Sequence, residues 1–434
     1  MNNCGQLMHD LCRELFPICR SITGEGLRET LAILKKHVPG IRIYEVPSGT
    51  SCFDWVVPKE WNIRDAYIID PGGRKIVDFK ESNLHVLGYS IPVEKTVGLE
   101  ELQEHLYSLP DQPQAIPYVT SYYKERWGFC IPDVQRRVLK PGMYRVFIDS
   151  ELKDGSLTYG ELIIRGKSDK EVFLSTYICH PSLANNELSG PSVTTFLAKW
   201  LLGKPKRYSY RIIFIPETIG SIAYLSKNLK VMKKNIIAGF NISCVGDDRA
   251  YSYLPSRNGN TYADKVALNI LSFKHPDFIK YSFLQRGSDE RQYNAPGVDL
   301  PVCSVMRSRY GSYPEYHTSL DNLDLISPQG LAGAYDTLKE CLMLIEEDRQ
   351  YKINCLGEPQ LQKRGLRPTI STKTFGNEEK SMSHFIAYAD GKNDLIDISN
   401  KIGVPVWELY PIIEKLIKVN LLTVVSKDAW KASF

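Results

Sequence analysis

The sequence predicts an α/β protein: a mixed sheet flanked by helices, carrying a small β-rich insertion and ending in a winged-helix-like module. Three observations carry this. After Leu157, short apolar runs alternate with stretches of helical spacing, the pattern of a doubly wound sheet. From about Ser51 to Asp154 the composition shifts to aromatics, prolines and turn signals such as Asp70-Pro71-Gly72-Gly73. Beyond Ser381, three short helical patterns and one strand pattern form a compositionally separate tail. The expected division is a core of residues 1–50 and 155–350, an insertion over 51–154, a polar connector over 351–380 and a module over 381–434.

Each element has its own warrant. Leu7 to Phe16 and Gly26 to Lys36 are amphipathic, and Ile41 to Val46 alternates as a strand does. In the insertion, Ala66 to Ile69 and Lys75 to Phe79 read as strands and Leu99 to Leu109 as a helix. Its aromatics Trp61, Tyr118, Tyr122, Tyr123 and Trp127 either line a cleft or form the insertion's own core. In the core, Tyr159 to Ile164, Val172 to Cys179, Arg211 to Ile215, Ile236 to Val245 and Leu300 to Met306 are strand candidates. Ser192 to Leu202, Ser221 to Leu229, Ala263 to Leu271 and Gly330 to Glu347 are the helices expected around them. In the tail, Ser383 to Ala389, Leu395 to Ile402 and Trp407 to Val419 read as helices and Leu421 to Val425 as a strand.

Composition excludes several classes of function. A 434-residue chain with 43% hydrophobic and 24% charged residues is that of an ordinary globular protein. Its formal charge of +4 gives no reason to invoke nucleic acid or an anionic membrane. No run of 18 apolar residues occurs, and Asp10, Arg13 and Glu14 interrupt any amino-terminal targeting signal. Ten scattered cysteines without a CxxC pair are expected as reduced thiols in a cytoplasmic protein. The tail's last helix carries only Lys415 and Lys418 against Glu408 and Glu414, too little basic surface for DNA. Its apolar positions instead suggest packing on the core or on a second subunit.

The chemistry concentrates at the ends of the core strands, where open α/β sheets bind ligands. His180, with Glu187 seven residues on, follows one strand; Glu217 follows the apolar run Ile212 to Ile215. Asn241 to Asp248 and Tyr313 to Asp321, which contains His317, end two more. Singly, these residues are also explained as helix caps and turns. Together, two imidazoles and adjacent carboxylates suit zinc with a general base.

The order His180, ANNELSG, PET-IGS, NISCVG and YHTSLDNLD resembles the co-catalytic zinc aminopeptidase family, whose members read H-x-D, A-N-D-D-x-S-G, E-E-x-G-x-x-G-S, N-x-D-x-x-G and H-T-x-x-D. The whole chain is similar to bacterial aminopeptidase-like proteins associated with polysaccharide biosynthesis. The resemblance implies a zinc-exopeptidase-like fold, His180 and His317 as metal ligands, and Glu217 as the base. It also exposes departures. Ser182, Asn186, Thr218 and Ser243 stand where the family carries acids, so the expectation is one zinc, not two. Glu187 is the expected third ligand, or else a helix-start acid; Asp247, Asp248, Asp289 and Glu290 are other acids that would close the site. Asp289 or Glu315 would hold a substrate's α-amino group, while Arg291, Arg307 and Arg309 would suit an anionic one. The implied function is hydrolysis of an amide in a short peptide or amino-acyl substrate. The alternatives are a deacylase acting on a sugar or amino-acid derivative, and a retired peptidase fold used for binding.

Overall fold

The computed structural model describes residues 4–366 and 376–426. Eight strands form a mixed sheet in the spatial order 42–47, 156–164, 208–215, 168–177, 236–241, 302–306, 252–254 and 279–280. The four central strands, from 208–215 to 302–306, are parallel, so their carboxyl ends share one edge. The first two strands are antiparallel additions.

Alternation along the central strands builds a core on each face. Val172 and Leu174 point with Tyr210, Ile212 and Phe214 into a core shared with the helices Cys4–Leu15, Glu25–His37, Ser189–Leu202, Tyr262–Lys274 and Pro328–Glu347. Phe173, Ile213 and Ile215 point the other way, onto the helix Ile219–Asn235 and Tyr293. A strand buried on both faces must be apolar throughout, which is why these strands read as runs. The helix over 328–347 starts where Ser327 Oγ accepts the Gly330 N–H at 2.9 Å, with Pro328 in the first turn.

Within the inserted stretch, an antiparallel sheet runs in the order 75–78, 60–69, 143–153 and 93–98 around its own core, which includes Trp127. Trp61 is buried against Tyr89, and Tyr123 is exposed. Arg28, on the helix over 25–37, clasps the insertion through the Glu60 carboxylate.

At the carboxy terminus, Asn377–Tyr388, Leu395–Ile402 and Val406–Lys418 are helices. A three-stranded sheet of 390–394, 350–353 and 422–426 completes the wing. The polar stretch expected as a connector thus contributes a strand, because Gln350–Ile353 pairs on both sides. Residues 367–375 of that stretch and 427–434 of the tail lie outside the described residues. The module packs on the core. Asn269 Nδ2 donates to Ser399 Oγ and Asn400 Oδ1, and Leu395 N–H donates to the buried Asp348. No described helix is long and apolar enough to cross a membrane.

Candidate active site

The site lies at the carboxyl edge of the parallel strands. After Tyr177 the chain turns through His180 and Ser182, the latter left-handed at φ 37°, into a single turn of π-helix, Ala184–Leu188. Such turns are rare and concentrate at functional sites. The free N–H groups of this one are satisfied by Asp321, which accepts from Ala184, Asn185 and Asn186 at 3.1, 2.6 and 3.0 Å. Gly190 lets the following helix press against the sheet, since a Cβ there would lie 2.5 Å from both Ile242 O and Thr176 Oγ1.

This packing brings four predicted residues together. His180 Nδ1 lies 2.7 Å from Glu187 Oε2. Its Nε2 faces Glu217 Oε2 at 3.6 Å. The His180 and His317 ring centroids are 5.4 Å apart, and His317 Nε2 is buried without a partner. Tyr118, from the insertion, sets its ring edge-on to both imidazoles at 5.2 and 5.1 Å. The His317 carbonyl accepts the Tyr118 N–H, and Ser319 N–H donates to Ile116 O, so the insertion is stitched to the His317 loop.

Glu187 stands behind His180, on the opposite nitrogen from Glu217. Arg20, also fully buried, approaches Glu187 at 3.9 Å and donates to the His180 carbonyl. A buried carboxylate on one ring nitrogen fixes the tautomer and aims the other nitrogen. Only Oε2 is engaged this way: Glu187 Oε1 is buried without a hydrogen-bond partner, and Cys179, His180 and Glu187 offer ligand atoms within 4.8 Å of one another, so the carboxylate has an oxygen for the ligand role the sequence suggests as well as one that orients His180.

The remaining predicted residues divide. Asp289 caps the helix over 219–235, accepting from Thr218 N–H at 2.7 Å and Ser221 Oγ at 2.8 Å. Arg307 lies over the Tyr251 ring at 3.9 Å and near Asp248, and Glu315 takes both Arg249 nitrogens. Neither joins the imidazoles, for each is committed to its own cation–π contact or ion pair. Glu290 and Asp247 are buried acceptors, each with several protein donors.

Electrostatics follow from burial. Burial raises the Glu217 carboxyl above its ordinary range, opposed by His180, Ser288 and Arg291. Burial and the Glu217 charge push Asp289 up to about 8. Burial and the neighbouring His180 pull His317 down to about 3, which keeps it neutral and able to bind a cation. Cys179 Sγ lies 3.8 Å from His180 Nδ1, but burial pushes the thiol up to about 11, and Glu187 already holds that nitrogen. A thiol so protonated is a poor nucleophile.

Sequence reasoning missed Arg20 and left the part of Tyr118 open. The one signal for Arg20 was a charged residue in the otherwise small and apolar run Ile18 to Ile22, which hints at a buried partner.

Comparison with known proteins agrees with this architecture. A Clostridium acetobutylicum protein named as a candidate polysaccharide biosynthesis protein with aminopeptidase-like domain is 46% identical over 423 residues, 97% of each chain. The crystal structure of a candidate peptidase from Clostridium acetobutylicum superposes with a TM-score of 0.92 at 45% identity, covering 98% of both chains. A zinc aminopeptidase from Bacillus subtilis shares the fold at 12% identity and TM-score 0.56, over 78% of this chain and 94% of that one. A winged helix-turn-helix family model matches residues 349–424. The chain has an aminopeptidase-like fold, and over residues 9–348, which span the whole site, it belongs to the family described as Domain of unknown function (DUF4910).

Proposed function

We propose that this protein is a single-zinc hydrolase that cleaves an amide bond in a short substrate. The observation that carries the reading is the pair of imidazoles beside Glu217, one buried and aimed from behind by Glu187, the other half-buried with a buried, unpartnered Nε2. His180 and His317 would hold the ion, with Glu187 either completing the set of three through its unpartnered Oε1 or orienting His180 from behind, and Glu217 the adjoining carboxylate. The neutral His317 offers zinc an unpartnered Nε2, a buried nitrogen otherwise costly to leave alone. His180, held above the ordinary imidazole range against burial by Cys179 and Glu187, would give up its Nε2 proton on binding. When bound, zinc polarises a carbonyl and lowers the pKa of its water.

The chain's own groups do the rest. Glu217, its carboxyl raised by burial, is suited to take a proton from water and return it to the leaving amine. Glu187 keeps its proton on His180 Nδ1. Tyr118 covers both rings and excludes bulk water from them. The insertion's seat on the His317 loop favours short substrates over folded proteins.

Elemental analysis of the purified protein, paired with an amide panel, tests this. The expected result is about one zinc per chain and hydrolysis of a small amide that stops on chelation. A metal-free protein that zinc neither binds nor stabilises would move the reading to a retired fold used for binding.

A further inference from the structure

Open space reaches two charged groups of the site, and they have opposite signs. The Glu217 side chain is 21% exposed and Arg291 is half-buried, whereas Glu187, Asp289, Glu290 and Asp321 are 0% exposed. Those four are also occupied. Glu187 serves His180 through Oε2, its Oε1 unpartnered but sealed from solvent, and Asp321 serves three backbone N–H groups and Tyr313. Glu290 accepts from Gly287 and Ser288 N–H, Tyr310 and Asn241. Asp289 accepts from Thr218 and Ser221; its second oxygen has no partner but is sealed from solvent.

Arg291 is different. Its Nε donates to Ser288 O at 3.1 Å and its Nη2 to Thr218 Oγ1 at 3.0 Å, which fixes the guanidinium beside the residue that follows Glu217. Both acceptors are neutral. Among the described residues no carboxylate pairs with it, and Nη1 has no protein acceptor. Its charge acts on the Glu217 carboxylate only through space, without a contact ion pair, so a guanidinium held in place with a free Nη1 is poised for an anionic oxygen. A site that selects an ammonium needs the reverse, a spare carboxylate.

We propose that Arg291 is a substrate-binding residue that takes an anionic oxygen group, carboxylate or phosphate, next to the amide presented to Glu217. The amide's position rests on the hydrolase reading above; the charge preference does not. The site thus favours an N-acylated acid over a peptide recognised by its free amine.

The test is calorimetric binding to the zinc-supplemented full chain and to its Glu217→Gln variant. The probes are N-acetylalanine, N-acetylglucosamine 1-phosphate and alaninamide. At least one anion should bind about 10-fold tighter than alaninamide. Arg291→Met should weaken that anion about 10–100-fold, the usual scale for a charged hydrogen bond, and leave alaninamide unchanged. Arg291→Lys should recover part of the loss, and melting temperatures check that both variants fold. The stronger anion identifies the source of the charge. Tightest binding by alaninamide, no binding by either anion, or anion affinity unchanged in a folded Arg291→Met protein would each overturn the proposal. Anion binding without hydrolysis would instead remove the hydrolase reading and leave Arg291's assignment standing.

Discussion

Glu217 separates two unlike halves of the site. On one side stand two imidazoles, with Glu187 and Arg20 behind them. On the other are neutral side chains at the positions where the resembled aminopeptidases carry acids. Asn186 Oδ1 accepts from Tyr177, Thr218 Oγ1 accepts from Arg291, and Ser243 Oγ is buried without a partner. A second divalent cation there would meet the Arg291 guanidinium, and the nearby acids Asp289 and Glu290 already accept from Thr218, Ser221, Asn241 and the 287–288 backbone. The halves differ in the charge of the side chains at these positions, and on the single-zinc reading this difference limits how many ions the site holds.

The largest expected effect tests the residue between the halves. Glu217→Gln should lower kcat about 10²–10⁴-fold, the usual contribution of a general base, with zinc content unchanged. Parallel metal analysis and kinetics measure this. Lost zinc would make Glu217 a ligand, and retained kcat would place the base elsewhere.

The next variant makes the halves alike. Ser243→Asp puts a carboxylate into a fully buried position where the native hydroxyl has no hydrogen-bond partner. In chelator it should destabilise the fold by about 3–5 kcal/mol, the scale of an uncompensated buried charge. Excess zinc should return part of that loss if the anion recruits a second ion. Melting curves with and without zinc read both quantities, and an unchanged chelator curve would mean that the two halves do not differ in electrostatic tolerance.

A smaller effect separates orienting from ligating. Glu187→Gln keeps a hydrogen bond to His180 Nδ1 but loses the charge, and should weaken zinc binding about 10–100-fold, as changes behind a ligand do. Competition with a chromophoric chelator measures the affinity. Complete loss of zinc would assign Glu187 the role of ligand.

The central strands were legible because burial on both faces leaves continuous apolar runs ending in His180, Pro216 and Asn241. The insertion's long strands, 60–69 and 143–153, were not: each is polar on alternate positions and interrupted, as at Asn62 and Arg64. The edge strands 252–254 and 279–280 are too short for any period to show. For the site, sequence order could bring His180, Glu217 and His317 to one edge, because that follows from strand polarity. Which side of the imidazole Glu187 occupies could not be read, since it depends on Arg20 arriving from a distant loop. The same limit hid Arg307's place over Tyr251.

The smallest effect belongs at the rim, where the Arg28–Glu60 clasp joins the core to the insertion that supplies Tyr118. Here charges are paired in contact and partly solvated, in contrast to Arg291, whose direct acceptors are neutral. Burial alone would raise Glu60, but Arg28, the Ser156 N–H and Asn62 prevail and hold it down to about 2 from 4.5. A carboxyl depressed in the folded state stabilises in full above its unfolded pKa. That contribution fades as pH falls from about 4.5 through about 2. Glu60→Gln should therefore cost about 1 kcal/mol at pH 7, modest because Arg28 is partly exposed to water. The gap between wild type and variant should close as pH approaches 2. Urea melts across that range read it directly. A gap that stays constant from pH 7 to pH 2 would assign the loss to packing against Gly155 and Ser156 instead of to charge. Insertion and site would then be coupled by shape alone.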